Sequence, residues 1–287
     1  RRLATQGHRV TVLSRRGGDT PASPGIDVAQ WNPLQPAPAL FDGRDAVVNL
    51  AGESIAVGRW TEARKQRIMD SRVRPTRGLV SALENLPQDR RPPVLVSASA
   101  VGYYGPRGDK DLYEDALPGD DFLARVCLAW ENEARAAEAL GMRVVLTRLG
   151  MVLGPNGGIL SRMVPPFRLG LGGPIGCGIQ WLSWVHLDDV VAALLLAIEN
   201  EAAHGPLNVT SPHPVRNREF ARILGRVLGR PSFVPLPAVL LRLGLGEMAD
   251  LLLTGQRVLP ARLKELGFGH HFPTLPGALA DALAKRC

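Results

Sequence analysis

Short apolar runs and longer stretches with helical spacing alternate along the first half of the chain. Val10-Thr11-Val12-Leu13-Ser14 is a short β-branched strand, and Gly25 to Trp31 a second. Asp45-Ala46-Val47-Val48-Asn49, Pro93-Val94-Leu95-Val96-Ser97-Ala98-Ser99 and Met142 to Leu149 read as buried strands. Between them, Trp60 to Leu86 is helical. It is interrupted near Arg74-Pro75, because proline lacks a donor and disfavours helix in the residue before it. Asp120 to Leu140 is a second long helix, stopped by Gly141. This alternation from Val10 to Gly154 predicts an α/β fold with a parallel, doubly wound sheet.

After Pro155 the pattern changes. Asn156 to Gln180 is rich in Gly and Pro and reads as a long loop. Leu187 to Asn200 is an apolar helix, Pro206 to Thr210 a final sheet strand, and Arg218 to Leu228 a helix ended by Gly229. Leu236 to Leu253, Ala261 to Leu266 and Thr274 to Ala284 complete a smaller, mostly helical lobe. The expected division is 1–155 with 187–211 in one lobe, and 156–186 with 212–287 in the other.

Two strand ends carry the candidate chemistry. Asn49-Leu50-Ala51-Gly52 and Ser99-Ala100-Val101-Gly102-Tyr103-Tyr104 both turn from apolar to small residues, which forms a crevice at the carboxyl edge, where open α/β sheets bind ligands. Ser and Gly there also suit a simple tight turn. Arg15-Arg16 leaves the strand that ends at Ser14. In a dinucleotide-binding unit, NAD-preferring proteins place an acid at that point, and arginine suits a 2′-phosphate instead. Two solvated arginines are the plain alternative.

Composition narrows the classes. The chain has 287 residues, 45% of them hydrophobic, enough for one large α/β unit or that unit with a small second one. Its net charge is +7, yet the 34 Lys and Arg are interleaved with apolar and acidic residues and join no aromatic-basic motif, so nucleic acid is not the expected partner. No apolar span reaches membrane length and no secretory leader is present, so the expectation is a cytoplasmic protein with no membrane partner. Cys127, Cys177 and Cys287 are widely spaced, neither a disulfide framework nor a zinc set, and no metal is expected.

These marks, with Arg148 to Pro155 and Trp184-Val185-His186-Leu187-Asp188-Asp189-Val190, resemble the extended short-chain dehydrogenase/reductase superfamily, NAD-dependent epimerase/dehydratase branch. Gly52-Glu53, Trp130-Glu131, Pro166 to Pro174 and the tail from Gly246-Glu247-Met248-Ala249 through Gly255-Gln256-Arg257 to Gly267-Phe268 are similar to its atypical epimerase family proteins. The resemblance implies a Rossmann fold of the extended type and NADP (NADPH) as cofactor. It implies cofactor contacts from Ser14, Arg15, Asn49, Leu50, Ala51, Gly52, Arg72, Ser99 and Val152. Such proteins begin with a strand and a Gly-x-x-Gly-x-x-Gly loop, whereas this sequence enters at the end of the first helix. The expectation is a truncated chain, with a gap between the strands at Val10 and Val47 where the first strand would lie.

The superfamily's usual acid/base machinery is a strand-end Ser or Thr with Tyr-x-x-x-Lys on the next helix. Ser99 matches the hydroxyl, but alignment through Trp130-Glu131 puts Leu123 and Cys127 at the Tyr and Lys positions. Tyr103 and Glu53 are the candidate substitutes, Tyr103 reading sooner as a packing aromatic with its hydroxyl at the rim. Cys127 among apolar residues reads as a core side chain sooner than a thiolate. His186 and Asp188 read as a hinge or helix cap. Two functions follow: an NADP-dependent oxidoreductase or epimerase-like protein acting on an unidentified small molecule with Ser99 and Tyr103 at its centre, or a non-catalytic NADP-sensing protein that binds a partner.

Overall fold

The computed structural model describes residues 2–15, 24–34, 37–155 and 157–284. Arg16, the glycines of the predicted Arg15 to Gly18 turn, Asn156 and Cys287 lie outside them. The central sheet has four parallel strands: β3 (Ala46–Asn49), β4 (Val94–Ala100), β5 (Arg143–Leu149) and β8 (Gly205–Val209), in the order β8-β5-β4-β3. Its register pairs Val47 with Leu95 and Leu95 with Val144, and on the far side Leu207 with Thr147. β1 (Val10–Ser14) and β2 (Ile26–Gln30) form a separate parallel pair. The expected gap between β1 and β3 is therefore present, although Leu13 and Trp31 still pack against the core that receives Val47.

Both faces of the sheet are covered, which is why its strands are apolar on both sides. Leu95, Val144 and Leu146 face α1 (Glu62–Glu84) and α2 (Phe122–Arg135) through Leu79, Leu83 and Ala134. The alternate residues Val94, Val96 and Val145 face α4 (Leu187–Glu199) through Val190, Ala193 and Ala197. A second core lies in the C-terminal region. It joins β6 (Met151–Leu153), α3 (Leu160–Arg168), β7 (Trp184–His186), α5 (Asn217–Leu228) and α8 (Leu275–Ala284) around Trp184, Phe167, Phe220 and Leu279.

Four helix assignments need correction. α1 runs unbroken through Pro75. Ile68, Thr76, Leu79, Val80 and Leu83 are buried along one face, and that burial outweighs the cost of roughly 3 kcal/mol for an interior proline. The segment read as a loop from Asn156 contains α3, whose Leu160, Val164 and Phe167 recur at helical spacing and are buried, while Pro165 and Pro166 face solvent. The helix read from Leu236 to Leu253 is instead α6 (Ala238–Leu245), a 3₁₀ turn at Gly246–Ala249 and a further helical turn, α7 (Asp250–Leu253). Gly246, at φ 60°, makes the break. The helix expected to run to Leu140 is α-helical to Arg135 and tightens to 3₁₀ before Gly141, at φ 82°. Among the described residues no helix is long and apolar enough to cross a membrane.

Candidate cofactor and active site

The turn out of β3 is pinned by a buried amide. Asn49 Nδ2 donates to Thr76 Oγ1 at 2.9 Å and to Ser97 Oγ at 3.2 Å, and its Oδ1 accepts from the Ala51 N–H. Leu50 is thereby turned outward. A Cβ at Gly52 would come within 3.2 Å of Arg72 Cζ, so a glycine lets the backbone approach that guanidinium. Arg72 donates to the Ile68 carbonyl, to Ser71 Oγ and to the Glu53 carbonyl, and lies 5.3 Å from the centre of the Trp130 ring. None of these partners is a carboxylate. Burial pulls the Arg72 pKa below the ordinary guanidinium range, the expected response of a cation short of countercharge.

The Glu53 carboxylate turns to Arg64. That hydrogen bond, followed by the charges of Arg64, Arg67 and Arg15, holds its pKa below the usual carboxylate range despite some desolvation. Glu53 is thus an anion at neutral pH, which removes it as a substitute acid. Ser14 closes β1, its carbonyl accepting from Trp31 N–H at 2.9 Å, and Arg15 is exposed beyond it. Val152 sits in the middle of β6, opposite Val185 of β7, half-buried beside the core that includes Val145 and Val190.

At the end of β4 the hydroxyl of Ser99 is 2% exposed and donates to Glu131 Oε1 at 2.7 Å. Having spent its one proton there, Ser99 Oγ has only acceptor capacity left for a ligand. Glu131 also takes a bidentate pair from Arg148, at 2.8 and 2.9 Å. The remaining Arg148 nitrogen donates to the Tyr104 hydroxyl and the Glu114 carbonyl, and Tyr104 donates to Asn208 Oδ1 at 2.7 Å. Burial opposes the charge on Arg148, but the bonds to Glu131 and its charge outweigh it and hold the guanidinium protonated above its ordinary range. Tyr104 is pushed up to about 12 by burial, only partly offset by Arg148. Tyr103 is half-buried, and the Arg148 guanidinium stacks 3.5 Å from its ring centre. Sequence reasoning did not find this network. Its signal was Arg148, a charged residue inside an otherwise buried strand.

Leu123 and Cys127 do face this strand end: a Cβ on Gly102 would lie 3.4 Å from Leu123 Cβ and 3.8 Å from Cys127 Sγ. Neither supplies a proton. Burial, then the Glu131 charge, pushes the Cys127 thiol up to about 12, so at pH 8 only about one molecule in ten thousand carries the thiolate. Iodoacetamide at pH 8 is therefore expected to alkylate exposed Cys177 and spare Cys127 in the folded protein, as read by peptide mapping. Comparable labelling at both positions would contradict the buried thiol.

His186 caps α4: its Nδ1 accepts from the Asp188 N–H at 3.1 Å, which leaves the ring proton on Nε2, 3.2 Å from Asp281 of α8. Asp189 accepts from the His271 and Phe272 N–H groups. The cap therefore also joins the sheet layer to the C-terminal segment. On the opposite side, Arg162 donates to the Ala56 carbonyl and Arg59 to the Leu243 carbonyl, which fixes the 53–59 loop between α1, α3 and α6.

Parallel strands ending in small residues, with a glycine-backed, half-buried arginine beside them, define a Rossmann-type nucleotide-binding protein. Residues 1–210 match the model of the NAD dependent epimerase/dehydratase family, and residues 236–282 match a domain of unknown function (DUF1731). The chain belongs to the NAD dependent epimerase/dehydratase family. It is 43% identical over 284 residues to the Arabidopsis thaliana epimerase family protein SDR39U1 homolog, chloroplastic, covering 97% of this chain and 80% of that protein. It is 39% identical over 286 residues to Homo sapiens epimerase family protein SDR39U1, covering 98% and 94%. The crystal structure of the human protein, isoform 2, with NADPH superposes with a TM-score of 0.84 at 36% identity, covering 98% of this chain and 93% of that one.

Proposed function

We propose that this protein binds NADP(H) in the crevice at the ends of β3 and β4 and uses it in an oxidoreductase or epimerase-like reaction on a small molecule. The observation that carries the reading is Arg72, a half-buried cation with no carboxylate hydrogen-bond partner, held against Gly52 at a strand end. A dinucleotide phosphate supplies the missing negative charge. The crystallised human relative was solved with NADPH, which supports the choice of cofactor. In this reading Ser14 and Arg15 hold the 2′-phosphate, with Arg72 assisting. Asn49 to Gly52 present backbone to the cofactor, and Val152 gives it an apolar contact. When bound, the nicotinamide supplies hydride transfer.

The protein's own part is to orient and to manage protons. Glu131 and Arg148 fix the Ser99 hydroxyl, whose free lone pairs accept from a donor on substrate or cofactor. Tyr103 is the nearby side chain with a transferable proton. Residues 1–155 and 187–211 form the cofactor lobe in this account, and 156–186 with 212–287 close over it from the substrate side. The free thiols Cys127 and Cys177 suit the reducing cytosol.

A second reading, a cofactor sensor without turnover, is favoured by the commitment of Ser99 to Glu131 and by Leu123 and Cys127 at the strand end. A carbonyl-substrate panel followed by NADPH oxidation separates the two. The catalytic account expects turnover that falls by roughly 10²-fold or more in Tyr103→Phe and also falls in Ser99→Ala. Tight NADPH binding with no turnover on any substrate would give the sensor.

A further inference from the structure

The C-terminal lobe carries an exposed apolar ridge that neither the fold nor the crevice uses. α6 buries Leu241 and turns Val239, Leu240 and Leu243 outward, each more than half exposed. At 3.6 residues per turn these three fall within an arc of about 100°. The segment leading into α6 runs beside residues 172–176: Val234 N–H bonds the Gly172 carbonyl at 3.1 Å and Leu236 N–H the Pro174 carbonyl at 2.9 Å. This contact brings Phe233 alongside Leu169 and Leu171, all three also more than half exposed. Scattered exposed leucines are ordinary, whereas six large exposed apolar side chains within two paired segments, 169–171 and 233–243, mark an interaction surface.

The exposed charge on α5 and at Arg168 and Arg230 is mostly basic. α5 projects Arg218, Arg222 and Arg226 at successive i, i+4 positions, all exposed, with Glu219 its single acid. Arg168 and Arg230 line a cavity of about 490 Å³ floored by Val227, Leu228 and Leu283. Among the described residues none of these five arginines forms an ion pair, while Arg242 on α6 pairs with Asp250 at 3.5 Å. A second copy of the chain is a poor occupant, because a two-fold interface would set this arginine rim against itself.

We propose that this face docks the protein on an anionic lipid surface. The ridge enters the boundary between headgroups and acyl chains, and the arginines pair with lipid phosphates. No spanning helix is needed for such peripheral attachment. The proposal does not rest on the cofactor reading, since none of its residues is among the proposed cofactor contacts.

The test is cosedimentation with vesicles of phosphatidylcholine alone and of phosphatidylcholine with an equal part of phosphatidylglycerol. The expected result is binding to the anionic vesicles only, lost at about 1 M salt, where the screening length falls to about 3 Å. Leu240→Glu/Leu243→Glu and, separately, Arg168→Glu/Arg230→Glu are each expected to weaken binding at least about tenfold. Thermal melts identical to the parent protein's would show that these exposed substitutions leave the fold intact. Equal binding to both vesicles, binding unchanged in both variants, or no binding to either vesicle overturns the proposal. So does a dimer in solution that Leu240→Glu/Leu243→Glu dissociates, which would assign the face to a second copy.

Discussion

Glu131→Ala is expected to lower the free energy of unfolding by about 3–5 kcal/mol, read as a shift of the urea midpoint, because it strands a buried arginine without its countercharge. Both partners of the Glu131–Arg148 pair are 2% exposed, so water cannot replace the lost carboxylate. The same substitution leaves the Ser99 hydroxyl without its acceptor and loosens the cation beneath Tyr103. The asymmetry of buried ion pairs provides the control. Replacing both partners with apolar residues of similar size, Glu131→Leu with Arg148→Met, is expected to recover most of the stability, since such exchanges are often close to neutral. If Glu131→Ala shifted the midpoint no more than removal of the exposed pair Arg77–Glu133, the network would be passive packing.

Strand identity was legible because burial on both faces leaves the central strands little freedom: Val94–Ala100 and Arg143–Leu149 are compact apolar runs bounded by turn residues, and Val10–Ser14, though only partly buried, shows itself by its β-branched residues. The helix termini with strong local signals were equally readable, Gly141 and Gly229 both adopting positive φ. The misread segments were those where tertiary burial overrode local preference. Pro75 in α1 and Pro165-Pro166 in α3 are local breakers that a buried stripe outweighs, and that stripe gains its value only when another layer covers it. Gly246 shows the opposite error. The break there was written in Gly244 and Gly246, but the leucine pattern on either side hid it.

The candidate site divides in the same way. Asn49, Gly52, Ser99 and Arg72 were reachable from strand-end composition and family resemblance, because backbone access at a sheet edge demands small or polar residues there. What Ser99 bonds to was not reachable. Its acceptor, Glu131, lies on a helix and that acid's counterion, Arg148, on the next strand, and only the folded sheet brings all three together. Glu53 was misassigned as an available acid because its partner Arg64 lies one helical turn into α1, and spacing alone does not reveal that the 53–59 loop folds back on it.

The central claim is that this crevice recognises NADP(H) through cations at the end of β1 and in the middle of α1. Charge-assisted hydrogen bonds are worth about 1.5–3 kcal/mol each, so a 2′-phosphate held by Arg15 corresponds to a preference for NADPH over NADH of roughly 10- to 100-fold. Arg15→Asp places a carboxylate where an NAD-preferring protein has one, and is expected to erase or invert the preference with little effect on NADH itself. Arg72→Leu is expected to weaken the preference less, since that guanidinium is already shared among the Ile68, Ser71 and Glu53 oxygens. The most direct measurement is calorimetric titration of the protein and its Arg15→Asp variant with NADPH and with NADH. The account predicts tighter binding of NADPH by the parent and loss of that difference in the variant; equal affinities in the parent, or a ratio unchanged by Arg15→Asp, would contradict it.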